Sequence, residues 1–259
     1  MFSQLTQLPV LHGHLGTTIT AIQVLSVLSY VNEVKDDTRT PYSKFVTPKV
    51  EKRGMMPSRV GMLIIYTPAL LACCFSPFYV SDAYYSLAGL LCLIHFLKRD
   101  LEVLFVHKYS GAIPLWAATG ISLLYTANAL LICCVSSLKP SELCCLTGLG
   151  LFSVGILGNG YHHALLANLR SSHSEDSGTK YAAPRGGLFK YVAAPHYLFE
   201  LITWLGVAIV SEHLNVYLIV ISMTSYLAGR SVAQNNWNRL KFSKEEWPAS
   251  RRNLIPFLF

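Results

Sequence analysis

A carboxylate, an imidazole and an indole recur at intervals of four in the run Pro195-His196-Tyr197-Leu198-Phe199-Glu200-Leu201-Ile202-Thr203-Trp204. That spacing puts His196, Glu200 and Trp204 on one stripe of a helix. The flanking residues are apolar, and an ionisable group in such a setting must face a partner, a ligand or a watery cavity. The stripe therefore reads either as an interhelical hydrogen bond or as a contact to a cofactor or substrate. A second group, Gly158-Asn159-Gly160-Tyr161-His162-His163 followed by Asn168-Leu169-Arg170, places Asn159, His163 and Arg170 on one face running toward a polar mouth. The adjacent His162 and His163 point to different sides, unlike a helical zinc pair at a spacing of four, so no metal site is expected. A third group, His95-Phe96-Leu97-Lys98-Arg99-Asp100-Leu101-Glu102, reads by itself as a basic interfacial anchor. Together with Arg170, Lys180, Arg185 and Arg230 it makes a basic rim, and guanidinium forks match phosphate oxygens.

The elements that must carry these groups are apolar runs at Leu8 to Val31, Val60 to Phe78, Ala83 to Leu97, Ile113 to Val135, Leu143 to Leu166, Tyr197 to Val210 and Leu214 to Gly229. A helix needs about 20 residues to cross the hydrocarbon. The first, second, fourth and fifth runs have that length; the third, sixth and seventh are short. Charge argues that all seven span. Every Lys and Arg except Lys139 falls in the connections after the first, third, fifth and seventh runs, so the positive-inside rule places the C-terminus in the cytosol. The expected fold is all-α, a multi-pass membrane protein of seven transmembrane helices in one domain, residues 1–259.

Composition agrees, with 52% hydrophobic residues, 14% charged and a mean hydropathy of +0.40, against about 25% charged in soluble domains. The net charge of +7 is explained by cytosolic loops meeting anionic lipid or a phosphate-bearing ligand, not nucleic acid. The opening MFSQLTQLPV lacks a basic n-region, so the first run is expected to be retained. The seven cysteines, among them Cys73-Cys74, Cys133-Cys134 and Cys144-Cys145, have neither zinc nor disulfide-framework spacing. Gly148-Leu149-Gly150 lies inside an apolar run and reads as a helix-packing notch rather than a dinucleotide fingerprint. P-loop, nucleophile-elbow and His-Glu-x-x-His patterns are absent.

In order, these residues resemble the steroid 5α-reductase family, plant members included. The resemblance is carried by Asn159 to Arg170, by Tyr181-Ala182-Ala183-Pro184-Arg185-Gly186-Gly187-Leu188-Phe189-Lys190-Tyr191-Val192, by His196 to Glu200 with Trp204, and by the ending Lys241-Phe242, Trp247-Pro248 and Arg251 to Phe259. It implies an endoplasmic-reticulum enzyme that binds NADPH from the cytosolic face and reduces the 4,5 double bond of a 3-oxo-Δ4-steroid, with hydride to C5 and a proton to C4. It also implies a division of labour: an N-terminal half that lines the lipid cavity, and residues of about 143–259 that carry the reductase signature and most cofactor contacts. By position, Asn159, Arg170, Tyr181, Glu200, Trp204 and Arg230 match cofactor-site residues, and Arg99 matches an arginine after the third span. The arginines would hold phosphate, with Glu200 and His196 at the nicotinamide end. His163 and Asn238 stand at cofactor-site positions where the family carries Asp and Tyr.

Departures gather at the substrate carbonyl. Family members that act on steroids commonly carry a Glu in the second span and a Tyr in the third; Tyr66 and Phe96 occupy those places here. Tyr66, just before Thr67-Pro68, reads either as the replacement hydrogen-bond donor or as an amphipathic packing residue with a satisfied hydroxyl. The stretch His95 to Ser110 is more similar to the very-long-chain trans-2-enoyl-CoA reductases, and polyprenol reductase shares the His-Tyr start of the sixth span. A membrane methyltransferase using S-adenosylmethionine and a non-enzymatic transporter or scaffold are the alternatives from other classes. The expected partners are a steroid or other lipid enone and membrane lipid, with no obligate protein partner.

Overall fold

The computed structural model describes residues 8–41, 45, 54–80, 85–109, 111–173 and 181–259. Lys44, Lys49, Lys52 and Arg53 of the first basic connection, the start of the third apolar run at Ala83, and Lys180 of the proposed rim lie outside them. The fold is all-α. Helix α1 (Gly13–Leu25) passes through a 3-10 turn (Ser26–Leu28) into α2 (Ser29–Val34). There follow α3 (Ser58–Cys74), the short α4 (Ser76–Tyr79), α5 (Leu87–Leu101), α6 (Leu115–Val135), α7 (Glu142–His173), α8 (Pro195–Ser211) and α9 (Leu214–Lys241).

Among the described residues, four stretches are long and apolar enough to cross a membrane: Gly13–Val34, Leu115–Val135, Glu142–Arg170 and Leu214–Lys241. Helices α3 and α8 are apolar but only 17 residues each. The second apolar run, expected to be full length, thus yields a shorter helix. The seventh, expected to be short, becomes 28 residues. Its hydropathy ends at Gly229 but its helix does not, because Arg230, Asn235 and Asn238 are buried in protein contacts. Asn235 donates to the carbonyl of Arg251 at 3.1 Å and to Asn253 Oδ1 at 2.8 Å, and Trp247 Nε1 donates to Asn235 Oδ1 at 2.8 Å. Large side chains such as Leu15, Trp116, Leu123 and Leu143 point outward, as lipid-facing residues do.

Two three-residue strands, β1 (Met55–Pro57) and β2 (Ala112–Pro114), form an antiparallel ribbon with Met56 opposite Ile113. Each strand ends in a proline immediately before a helix, α3 after Pro57 and α6 after Pro114. Ser58 N–H donates to the Gly111 carbonyl at 3.0 Å and Leu115 N–H to that of Gly54 at 2.8 Å, so the ribbon ties the two helix starts together. Strands this short leave no alternation in the sequence to detect.

Along the seam between α7 and α8, backbone meets backbone. A Cβ on Gly148 would lie 2.7 Å from the Gly206 carbonyl, one on Gly206 2.5 Å from the Gly148 carbonyl, and one on Gly155 2.4 Å from Thr203 N. Gly148 is the notch its apolar setting suggested; Gly150 faces open space. Closing this seam brings Asn159 and His163 on α7 against His196 and Glu200 on α8. Gly206→Val is expected to cost about 1–3 kcal/mol or more by overpacking, read as a lowered thermal midpoint in detergent, whereas Gly150→Ala leaves the midpoint unchanged or raised.

Candidate functional site

Helix α5 supplies the polar centre. Ser86 caps it, its Oγ accepting from Gly89 N–H at 3.0 Å, and the helix runs through buried Leu91, Cys92, His95 and Phe96 to Lys98-Arg99-Asp100. Beyond Leu101 the backbone widens into a π turn, Glu102–Val106, closed by His107 N–H donating to the Glu102 carbonyl at 2.8 Å. Turns of this type recur at functional sites. The widening brings the His107 ring near the Glu102 side chain.

Glu102 is 5% exposed and is surrounded by basic groups. Arg99 Nη1 donates to Oε2 at 2.7 Å, Lys98 Nζ to Oε1 at 2.8 Å, and His163 Nδ1 lies 3.0 Å from Oε2. His107 Nε2 stands 3.9 Å away. A carboxylate only accepts, so His163 carries its proton on Nδ1, and the 3.1 Å approach of Arg99 Nη1 to that atom is proximity rather than a second bond. Burial raises the Glu102 pKa, but the hydrogen bond and charge of His163 and the charges of Arg99 and Lys98 outweigh it and hold the group well below the usual carboxylate range. Burial, aided by Arg99, pushes the His107 imidazole down to about 4.

The free arm of Arg99 reaches α3. Its Nη2 donates to the Tyr66 hydroxyl oxygen at 2.7 Å, and the guanidinium lies 4.8 Å from the ring centroid. One residue along each helix, Thr67 Oγ1 donates to Asp100 at 3.0 Å. Tyr66 stacks on Tyr125 of α6 at 5.8 Å, and Phe96 packs against Tyr125 and Trp204. Tyr66 is thus buried in an aromatic pocket with a cation on its oxygen.

On α8, Glu200 Oε1 accepts from Trp204 Nε1 at 3.0 Å and lies 3.3 Å from His95 Nε2. The intrahelical bond is the four-residue spacing seen in the sequence; the His95 contact is an addition that spacing within one helix does not reveal. Asn159 joins the two halves, donating from Nδ2 to the His196 carbonyl at 2.9 Å and accepting from Lys98 Nζ. The His196 and His163 rings are 5.6 Å apart. The structure therefore brings together Tyr66, Arg99, Asn159, His163, His196, Glu200 and Trp204, and adds His95, Lys98, Glu102 and His107.

The remaining candidates stand elsewhere. Arg170 is exposed and donates to the Lys108 carbonyl at 2.5 Å. Tyr181 packs edge-on to Trp237 at 5.0 Å. Asn238 Oδ1 accepts from Gln234 at 2.7 Å. Arg230, 1% exposed, has described partners on the first helical unit and its exit: Glu33 at 3.1 Å, the Thr40 carbonyl at 3.1 Å and the Phe45 ring at 4.6 Å. His162, set aside in the sequence as a metal candidate, instead locks the Gly186-Gly187 turn. Its Nδ1 donates to the Gly158 carbonyl at 2.7 Å, so its Nε2 accepts from Leu188 N–H at 3.1 Å. Gly187 has a φ of +49°, and a Cβ there would lie 2.7 Å from that Nε2.

Glu102, His107 and His163 bring potential ligand atoms within 4.8 Å of one another, a His₂-carboxylate set. Two fixed cations already hold that carboxylate, and a divalent ion would have to displace them. A polar organic ligand fits better: His95 Nδ1 and His196 Nδ1 are buried without a hydrogen-bond partner, as is Asp100 Oδ1, and a group carrying both donors and acceptors would satisfy them.

Comparison with known proteins follows this geometry. The family described as 3-oxo-5-alpha-steroid 4-dehydrogenase matches residues 120–259, more than half of the chain. The very-long-chain enoyl-CoA reductase of Dictyostelium discoideum is 30% identical over 176 residues, which cover 64% of this chain and 55% of that protein. The 3-oxo-5-alpha-steroid 4-dehydrogenase 1 of Homo sapiens is 33% identical over 174 residues, 64% of this chain and 65% of that one. The steroid 5-alpha-reductase DET2 of Solanum lycopersicum is 35% identical over 112 residues, 43% of this chain and 41% of that protein. The chain spans less than two thirds of the length of each.

Two outcomes test the electrostatics. Glu33→Ala leaves Arg230 buried and uncompensated and is expected to cost about 3–5 kcal/mol, and Glu33→Ala combined with Arg230→Met recovers part of the loss in a denaturation series. The His107 imidazole is depressed in the fold, so between its ordinary 6.5 and about 4 the unfolded chain binds more protons. Its contribution is complete above pH 6.5 and is lost as pH falls toward 4. His107→Gln should flatten that acid-side decline in a pH series of thermal midpoints.

Proposed function

The chain belongs to the 3-oxo-5-alpha-steroid 4-dehydrogenase family, and from that premise we propose that it reduces a carbon–carbon double bond conjugated to a carbonyl, with NADPH as reductant and a 3-oxo-Δ4-steroid as substrate. The observation that carries the reading is the pairing of buried Tyr66 with partly buried Arg99, joined through Tyr125 and Phe96 to the Trp204, Glu200 and His95 cluster. We place the chain in the endoplasmic-reticulum membrane as seven spans, α5 among them despite its charged end, with the C-terminus and the mouth near Arg170 in the cytosol.

NADPH, when bound, supplies the hydride. Glu200, His196 and Asn159 are the residues that would hold its nicotinamide end, Trp204 forms the adjoining wall, and Arg170, Tyr181, His163 and Asn238 complete the cofactor set with the basic rim. The described contacts of Arg230 give it a structural role beside any contact to phosphate. Tyr66 donates its hydroxyl hydrogen to the substrate carbonyl oxygen. Negative charge developing on that oxygen during reduction would be stabilised by Arg99, which is bonded to the phenol oxygen, through the Tyr66 hydroxyl. The enolate then takes a proton at C4 from an exchangeable donor in equilibrium with solvent. Phe96 and Tyr125 exclude water from the pocket and strengthen these interactions.

The second reading, reduction of a trans-2-enoyl-CoA, is supported by the Dictyostelium relative and by the His95 to Ser110 sequence. It uses the same residues, because a thioester carbonyl asks for the same donor. Loss of absorbance at 340 nm with NADPH and, separately, a 3-oxo-Δ4-steroid, a trans-2-enoyl-CoA and a polyprenol separates the readings. The steroid is expected to be consumed fastest; no oxidation with any of them would overturn the reductase assignment. Tyr66→Phe should lower kcat by about 10²-fold or more with little change in NADPH affinity, whereas Glu200→Gln should weaken NADPH binding by about tenfold or more.

A further inference from the structure

We propose that Glu102 is a positioning residue of the reductase site, holding the Arg99 fork so that its second arm meets the Tyr66 hydroxyl. The inference rests on the reading that Tyr66 donates to the substrate carbonyl. Arg99 has two terminal nitrogens and uses them on different elements: Nη1 on Glu102 at 2.7 Å, Nη2 on Tyr66 at 2.7 Å. Both bonds fix the plane of the guanidinium, and with it the distance of the cation from the phenol oxygen. A single bond to Tyr66 would leave the group free to swing about Nη2.

The surroundings prevent Glu102 from moving in response. Its two oxygens are shared among Lys98, Arg99 and His163, groups from α5 and α7, and the π turn closes behind it through the Glu102 carbonyl. The carboxylate also offsets the mutual repulsion of Lys98 and Arg99, adjacent and partly buried cations. Without that negative charge, the Arg99 charge would favour any route to water over a contact with Tyr66. The spacing of Arg99 and Glu102, three residues on a helix, is common on exposed surfaces, where such a pair contributes little. Burial against a reactive phenol is what gives this one consequence. Glu102 touches neither substrate nor cofactor in this reading; it acts through Arg99.

A double-mutant cycle tests this in the full-length protein in detergent, with NADPH and whichever of the 3-oxo-Δ4-steroid, trans-2-enoyl-CoA or polyprenol the wild type reduces. Glu102→Gln should lower kcat by about 10–100-fold, the range for removal of an orienting partner, with NADPH Kd changed by less than roughly threefold. In a Tyr66→Phe background the same change should cost little, because the contact it sustains is already gone. An equal loss in both backgrounds, or wild-type kcat in Glu102→Gln, overturns the role. Should Glu102→Gln not fold, Glu102→Asp, which keeps the charge but withdraws it by one methylene, is expected to show the same coupling, and its failure to do so counts equally against the proposal. A wild type inactive on all three substrates overturns both this inference and the reaction it rests on. An active wild type with uncoupled mutations overturns the inference alone.

Discussion

The constraint from which the architecture follows is that charge buried in an apolar helical bundle must be matched within it. Among the described residues, three carboxylates in such surroundings each have a basic partner from another part of the sequence: Glu33 with Arg230, Glu200 with His95, and Glu102 with His163 beside Lys98 and Arg99 of its own helical turn, whereas the buried Asp100 is held by Thr67. Each pairing costs desolvation and is favourable only because the geometry is fixed. Each therefore demands that helices distant in sequence meet in one register. The ion pairs are better understood as specifying that register than as the source of the fold's stability.

Two backbone devices set the register. The β1–β2 ribbon aligns the starts of α3 and α6, which fixes Tyr66 and Tyr125 at the same depth, where their rings stack. The Gly148–Gly206 notch lets α7 and α8 approach until backbone meets backbone, and that approach lets Asn159 reach the His196 carbonyl. Helix α5 lies between these pairs and carries the charges. The candidate site is thus assembled from an aromatic side, held by the ribbon, and a polar side, held by the glycine seam.

Much of this was legible in the sequence where a signal stays within one element. The Glu200–Trp204 bond follows from a spacing of four and the apolar runs mark the helices, whereas Tyr66 was singled out only by its place in the family resemblance. What was not legible depends on partners remote in sequence. Lys98-Arg99-Asp100-Leu101-Glu102 looks like an interfacial anchor because nothing local says that it is buried; only the arrival of His163 and Asn159 from α7 makes it the centre of a network. The seventh run was cut short at Gly229 because hydropathy records transfer to lipid and is blind to polar residues satisfied by protein. Arg230, matched by position to a phosphate contact, meets a carboxylate nearly two hundred residues earlier, a pairing no spacing reveals. The β ribbon was too short to leave a pattern.

In the function proposed above, these residues form one dry site in which a pyridine nucleotide would give hydride to the carbon β to a polarised carbonyl. Isotope placement addresses it without mutation: turnover with NADPH deuterated at the nicotinamide C4, and separately with unlabelled NADPH in deuterated water, followed by mass and proton spectra of the product. Label from the nucleotide is expected at the β carbon and label from solvent at the α carbon. Label from solvent at both positions, or no label transferred from the nucleotide, would contradict it.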